Sequence, residues 1–268
     1  MPYAEVNGAR LFYTDEGEGT PVLLVHGWSC DGSDWSWQTP ALKAAGYRCI
    51  VPDLRGHGRS SVPEDGFTPP AFAADLAELL RQRGAGPAIA IGHSMGGAAV
   101  VALAVEHPEC VRAVVPVDAA YGFDEDTPAT AMQMVEAFKG PNAHEVALQF
   151  AAGAFYTAAT PAYLPALHAR RIAGFDTSAM WKCFAGLLGE GGWGLRADAE
   201  SYLCRIQVPA LAFRAGSQGP AAMADWERAQ FQQPKSHAVA WEGTGHWLHQ
   251  ERPAEFNSIL LDWLKSLD

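Results

Sequence analysis

The residues with the plainest chemical capacity are Gly92-His93-Ser94-Met95-Gly96. Glycines two positions before and two after a serine, an apolar run (Ile89-Ala90-Ile91) ahead and an Ala/Val-rich helical segment behind predict a strand, a sharp turn and a helix that hold a nucleophile. A turn this tight strains the serine backbone and brings the flanking positions together, which glycine permits; Gly97 lets the helix start press on a neighbouring strand. Ser94 Oγ would then stand at a sheet tip, beside backbone N–H groups that favour negative charge. Serine is a poor nucleophile until a base takes its proton. An oxyanion formed by its attack needs preorganised donors, and the Met95 N–H, just after the serine, is one. The plainer reading, a glycine-rich turn with an incidental serine, leaves the strand and helix around it unexplained.

The elements that position this turn follow from periodicity. Val6–Arg10 reads as a turn between two short strands, the second being Leu11–Thr14, and Pro21–Val25 is a continuous apolar run of the kind buried on both faces of a parallel sheet. Asp34–Ala45 is predicted helical with Pro40 near its start or at a kink. Tyr47–Val51 is a strand, Ala71–Arg83 a helix, and Val111–Val117 a strand ending at Asp118. The alternation predicts an α/β fold with a doubly wound, mostly parallel sheet. From 121 to 201 the pattern changes to successive helical segments, Ala129–Lys139, Ala143–Tyr156, Ala162–Ile172 and Ser178–Leu188, closed by Gly189-Glu190-Gly191-Gly192. We expect a helical cap insertion there, over a core domain made of 1–120 and 202–268. The core resumes with a strand at Pro209–Arg214, a helix near Ala221–Gln232, a strand at His237–Trp241 and a final helix from Pro253 to Leu267.

A net charge of -11 argues against nucleic acid or an anionic membrane as partner. With 49% apolar residues and a mean hydropathy of -0.06 the chain suits a globular protein acting on a small molecule, monomeric or homodimeric. The N-terminal residues lack a basic stretch followed by an apolar one, and no apolar run reaches membrane-spanning length, so a cytoplasmic location is expected. Cys30, Cys49, Cys110, Cys183 and Cys204 are odd in number and never at ligand spacing, so reduced thiols are expected and neither a metal nor another cofactor.

Across its full length the chain resembles the α/β-hydrolase superfamily. His26-Gly27 after the third strand, Gly92-His93-Ser94-Met95-Gly96, and Gly245-His246 before the last helix carry the resemblance, in that order. The segment Asp53–Ser60 and Glu251-Arg252-Pro253 match habits of the capped, small-substrate branch. The resemblance implies His246 as the base, because the family's histidine follows the last strand, and the Trp28 N–H as second oxyanion donor beside Met95. It implies bracing roles for His26 and His93, loop or surface roles for His57 and His249, and structural roles for Asp53 and Arg55. The acid departs from the common pattern: the loop Arg214-Ala215-Gly216-Ser217-Gln218-Gly219-Pro220 contains no carboxylate. Asp118 ends the strand that the family's order places beside the Ser94 strand, where a minority of relatives carry their acid, so it is the expected orienter of His246.

A hydrophobic pocket is expected from Trp28, Phe123, Phe155, Trp181, Phe184 and Trp247. The resulting expectation is a serine hydrolase cleaving a carboxylic ester or lactone of a small, largely apolar substrate through an acyl-enzyme on Ser94. A cofactor-free ring-cleaving dioxygenase or a C–C bond hydrolase built on a His246/Asp118 dyad is the alternative. A non-catalytic small-molecule receptor on this fold is disfavoured by the complete set of groups, and haloalkane dehalogenation by the serine at a position where that chemistry uses an aspartate.

Overall fold

The computed structural model describes residues 2–189, 192–216 and 219–267; Glu190-Gly191 and Ser217-Gln218, both noted in the sequence, lie outside them. The strands are β1 (Tyr3–Val6), β2 (Ala9–Glu16), β3 (Thr20–Val25), β4 (Tyr47–Pro52), β5 (Ala88–His93), β6 (Val111–Val117), β7 (Leu211–Gly216) and β8 (His237–Glu242). They form one eight-stranded sheet in the order β1-β2-β4-β3-β5-β6-β7-β8. β2 pairs antiparallel with both β1 and β4 and the other pairs are parallel, so the sheet is mostly parallel, as the apolar runs predict.

Side chains of each central strand divide between two cores, as alternation requires. Leu23 and Val25 of β3, with Ala88 and Ala90 of β5, join one core. Val22, Leu24, Ile89 and Ile91 join the other. Helix α2 (Pro69–Gln82) and helix α3 (Met95–Glu106) cover the first face; α1 (Gln38–Ala44) and the last helix cover the second. α3 is apolar nearly all round and buried from Met95 to Ala104, which suits a helix enclosed on every side. The predicted helix over Asp34–Ala45 is split into a 3-10 turn, Gly32–Trp35, and α1. Asp31 caps the 3-10 turn by accepting from the Ser33 N–H, and the break puts Pro40 in the first turn of α1, where its missing N–H costs nothing.

Between β6 and β7 the described residues form helices α4 (Thr127–Lys139), α5 (Ala143–Ala154), α6 (Tyr163–Ala173), α7 (Thr177–Leu188) and α8 (Arg196–Leu203). α8 lacks a sequence signal because it buries only Ala199 and Leu203. Phe138, Ala147 and Cys183 of the other helices join the same core as α2 and α3, so these helices rest on the sheet assembly through a continuous apolar contact. α9 (Pro220–Gln230), a short α10 (Leu248–Glu251) and α11 (Pro253–Lys265) complete the chain. Among the described residues no helix is long and apolar enough to cross a membrane, and all five cysteines are free, with Cys30, Cys49 and Cys183 buried.

The segment after β4 is held by buried charge. Asp53 accepts from the Gly32 N–H through Oδ1, at 2.8 Å, and from the Arg59 N–H and Nε through Oδ2, at 2.9 and 2.7 Å. Arg55 donates through Nε and Nη2 to the two oxygens of Asp75 on α2, each at 2.6 Å. Burial raises the Asp75 carboxyl above its usual range even with Arg55 beside it. Removing one partner leaves the other charge dry and unpaired, so Asp75→Ala should cost about 3–5 kcal/mol, while the paired change Arg55→Met with Asp75→Leu should cost far less. Urea unfolding of the three proteins checks this, and equal losses in single and double variants would contradict it.

Candidate active site

Three strand ends meet here because β5 lies between β3 and β6. At the end of β5 the backbone of Ser94 adopts φ 53 and ψ -118, left-handed geometry that a non-glycine residue holds only at a cost of about 1–3 kcal/mol. The turn closes so tightly that a Cβ on Gly92 would lie 2.1 Å from the Gly96 carbonyl oxygen. One on Gly96 would lie 2.4 Å from the His26 oxygen and 2.5 Å from that of Val25. The Ser94 N–H donates to the Val117 oxygen at 2.9 Å, tying the turn to β6.

Asp118 follows directly, also at positive φ (41°), with its N–H bonded to the Phe213 oxygen at 2.7 Å. That bend turns its carboxylate across the strand ends. Oδ2 lies 2.6 Å from His246 Nδ1, and Oδ1 accepts from the Ala215 N–H at 3.2 Å. The residues expected as base and acid are therefore joined, and the ring's other nitrogen, Nε2, is left for the cavity that Ser94 and His246 both line. Arg214, near the end of β7, donates to Glu227 Oε2 at 2.7 Å and to the Ala119 oxygen at 2.7 Å.

The His246 loop is braced on several sides. Its N–H donates to the Phe155 oxygen at 2.8 Å, and the Phe155 ring stacks on the imidazole at 4.7 Å. Glu251, singled out in the sequence only as part of a motif, accepts from the Gly245 N–H at 3.0 Å and from Thr160 Oγ1 at 2.8 Å. His93 Nε2 donates to the His246 oxygen at 2.9 Å, and His26 accepts from the Leu54 N–H at 2.9 Å, so both brace loops. Neither His57 nor His249 is a surface group. His57 is buried with Nδ1 2.9 Å from the Arg55 oxygen, and burial, then His26, lowers its pKa to about 3. His249 is fully buried in α10, because this short turn packs its apolar neighbours into the second core.

Trp28 lies in the loop after β3 and Met95 starts helix α3, and neither N–H is engaged by a backbone carbonyl among the described residues. The cavity is about 540 Å³ and mainly apolar; Trp28, Phe123, Phe155 and Phe184 line it with Ser94, Asp118 and His246. Tyr121, Phe150 and Arg214 line it as well, brought there by tertiary packing without a sequence motif to mark them. Trp181 and Trp247 do not. On α7 the buried stripe runs through Met180, Cys183, Phe184 and Leu187, which turns Trp181 outward to the ammonium groups of Lys139 and Lys182, 4.8 and 5.6 Å from its ring. Trp247 sets its ring edge-on to His246 at 5.2 Å, outside the cavity lining, and stacks on His168 at 3.7 Å, beside Cys30 and Leu164.

A polar constellation at the C-terminal ends of a mostly parallel sheet, under helices inserted between two strands, defines an α/β enzyme class whose site is built from loops. The sequence profile described as "Alpha/beta hydrolase family" matches residues 22–259, and the chain belongs to that family. It is 31% identical to epoxide hydrolase A of Mycobacterium tuberculosis (strain ATCC 25618 / H37Rv), over 98% of this chain and 97% of that protein. Identity with the non-heme chloroperoxidase CPO-A1 of Kitasatospora aureofaciens is 43%, over 34% of this chain and only 33% of that protein's length. The non-heme haloperoxidase of Rhodococcus erythropolis is likewise matched over 39% of its length. Among solved structures, the bromoperoxidase from Bacillus anthracis superposes with a TM-score of 0.85 at 26% identity, covering 98% of this chain and 99% of that one. Est816, described as an N-acyl homoserine lactone degrading enzyme, gives 0.81 at 25% identity, covering 97% and 98%.

Two outcomes follow from the geometry. Gly96→Ala drives a methyl into two carbonyl oxygens and should cost about 3 kcal/mol or more; a thermal midpoint close to that of the parent would contradict the close approach. His57 is neutral when folded, with a pKa depressed from 6.5 to about 3, so below pH 6.5 the unfolded chain binds the extra proton. Its contribution is present above pH 6.5 and is lost as pH falls toward 3, by at most about 1.4 kcal/mol per pH unit. Denaturation between pH 7 and 4 should show a shallower pH dependence in His57→Gln than in the parent.

Proposed function

We propose that this chain is a serine hydrolase that cleaves a carboxylic ester or lactone of a small, largely apolar substrate. The observation that carries the reading is the 2.6 Å contact of His246 Nδ1 with Asp118 Oδ2, on a ring that shares an apolar cavity with the strained Ser94. Asp118 holds the ring in the tautomer with the proton on Nδ1, so Nε2 is the basic nitrogen. His246 takes the Ser94 proton as Oγ attacks the carbonyl carbon, and the oxyanion settles on the N–H groups of Trp28 and Met95. His246 then returns the proton to the leaving alkoxide, and water releases the acid from Ser94 by the same steps. The helices of residues 121–201 act as the cap, supplying Phe150, Phe155 and Phe184 to the acyl pocket, and Est816 supports a lactone among the substrates.

The dyad reading, in which His246 and Asp118 abstract a proton for ring or C–C cleavage without a covalent intermediate, rests on the same contact. The two part at Ser94. For the hydrolase, Ser94→Ala should lower kcat/KM on p-nitrophenyl butyrate by about 10⁴-fold or more and abolish fluorophosphonate labelling. Asp118→Asn, with its folding intact, should cost a similar factor because the wrong tautomer is held. Full turnover in Ser94→Ala would transfer the assignment to dyad chemistry.

A further inference from the structure

Beneath the loop that carries His246 lies a polar cluster that acyl transfer leaves unused. Asp34 comes from the 3-10 turn after β3, His93 from the end of β5 and His249 from α10, and all three are fully buried. One ligand atom from each falls within 4.8 Å of the others, and His93 Nδ1 stands 4.0 Å from Asp34 Oδ2.

The outward contacts set the protonation. His93 Nε2 faces the His246 carbonyl, which only accepts, so Nε2 carries the proton. In the neutral ring with that tautomer, Nδ1 is a bare lone pair. It faces Asp34 Oδ2, a second acceptor, and His249 adds two ring nitrogens; none of these atoms has a hydrogen-bond partner among the described residues. A ring lone pair and a carboxylate oxygen turned on each other in a dry interior, with a second imidazole beside them, are costly unless an electron-poor centre lies between them.

We propose that Asp34, His93 and His249 bind a divalent first-row transition ion of the zinc type. Two imidazole nitrogens and one carboxylate oxygen suit zinc, cobalt or iron rather than calcium or magnesium. The far side of two ligands is already held as metal ligands require: His93 by the His246 carbonyl, and Asp34 Oδ1 by Arg171 Nη1. Ligand atoms around tetrahedral zinc stand roughly 3.4 Å apart, so small side-chain rotations close the 4.0 Å gap. Arg171 is the cation facing the cluster, and two carboxylates answer it, since Asp31 Oδ2 lies 3.6 Å from its Nε. His168 and the Cys30 thiol also face Asp34. The ion fixes His93, and His93 fixes the backbone of His246, so the site positions the loop and touches no substrate.

Because the site is closed, the ion enters as the chain folds, and the test is metal content, which is independent of whether Ser94 is a nucleophile. Protein expressed in medium supplemented with Co²⁺ and gel-filtered in chelator-treated buffer should retain about one equivalent by mass spectrometry, with the visible absorption of cobalt held by nitrogen and oxygen ligands. Asp34→Asn and His249→Gln should each lower occupancy at least tenfold, while His237→Gln, an exposed histidine of β8, should not. If either variant fails to fold, X-ray absorption of the cobalt in the parent decides, with a shell containing two imidazoles expected. Folded parent with less than a tenth of an equivalent, occupancy that survives both substitutions, or a shell lacking imidazole would overturn the proposal.

Discussion

The structure depends on one close approach of backbone to backbone. At the end of β5 the chain reverses so sharply that the Gly96 peptide sits against the carbonyls of Val25 and His26 on the adjacent strand. Three consequences follow from that contact. α3 starts directly beneath β3 and β5, Ser94 is forced to positive φ at the sheet tip, and Gly27, in the loop after β3, is brought against the serine. The strain at Ser94 is sustained because β3 and β6 clamp β5 on both sides and the apolar α3 is buried along almost its whole length.

A second layer of organisation is polar and indirect. His246 lies on a loop, and loops hold a ring in place only through contacts from elsewhere. Here they come from the Asp118 carboxylate, the Phe155 carbonyl and ring, His93 beneath and Glu251 behind. Phe155 caps the end of α5, so the helices between β6 and β7 do more than cover the cavity: they hold one edge of the loop that carries the candidate base.

Legibility in the sequence followed the range of the interaction. The central strands were readable because strands buried on both faces are continuous apolar runs, and α2 and α3 because their signals are local. The elbow was readable because its demand for glycine falls on neighbouring positions. α8 was not, since it buries too little to leave a periodic trace, and the break at Gly32–Trp35 depends on a cap that competes with the helix pattern. The pocket was half legible. An aromatic residue announces burial but not direction, so Phe155 and Phe184 face the cavity while Trp181 and Trp247 turn elsewhere.

Residue order alone determined the α/β architecture and the serine turn, and it showed that 214–220 lacks the carboxylate which the resemblance to the family places there. Tertiary structure decided that Asp118 meets His246, because a bend at positive φ aims the carboxylate across strand ends, a direction no one-dimensional pattern encodes. It also decided that His249, expected in a loop or at the surface, is buried against Asp34 and His93. Those three lie far apart along the chain, and only the folding of β3, β5 and α10 onto one another makes them neighbours.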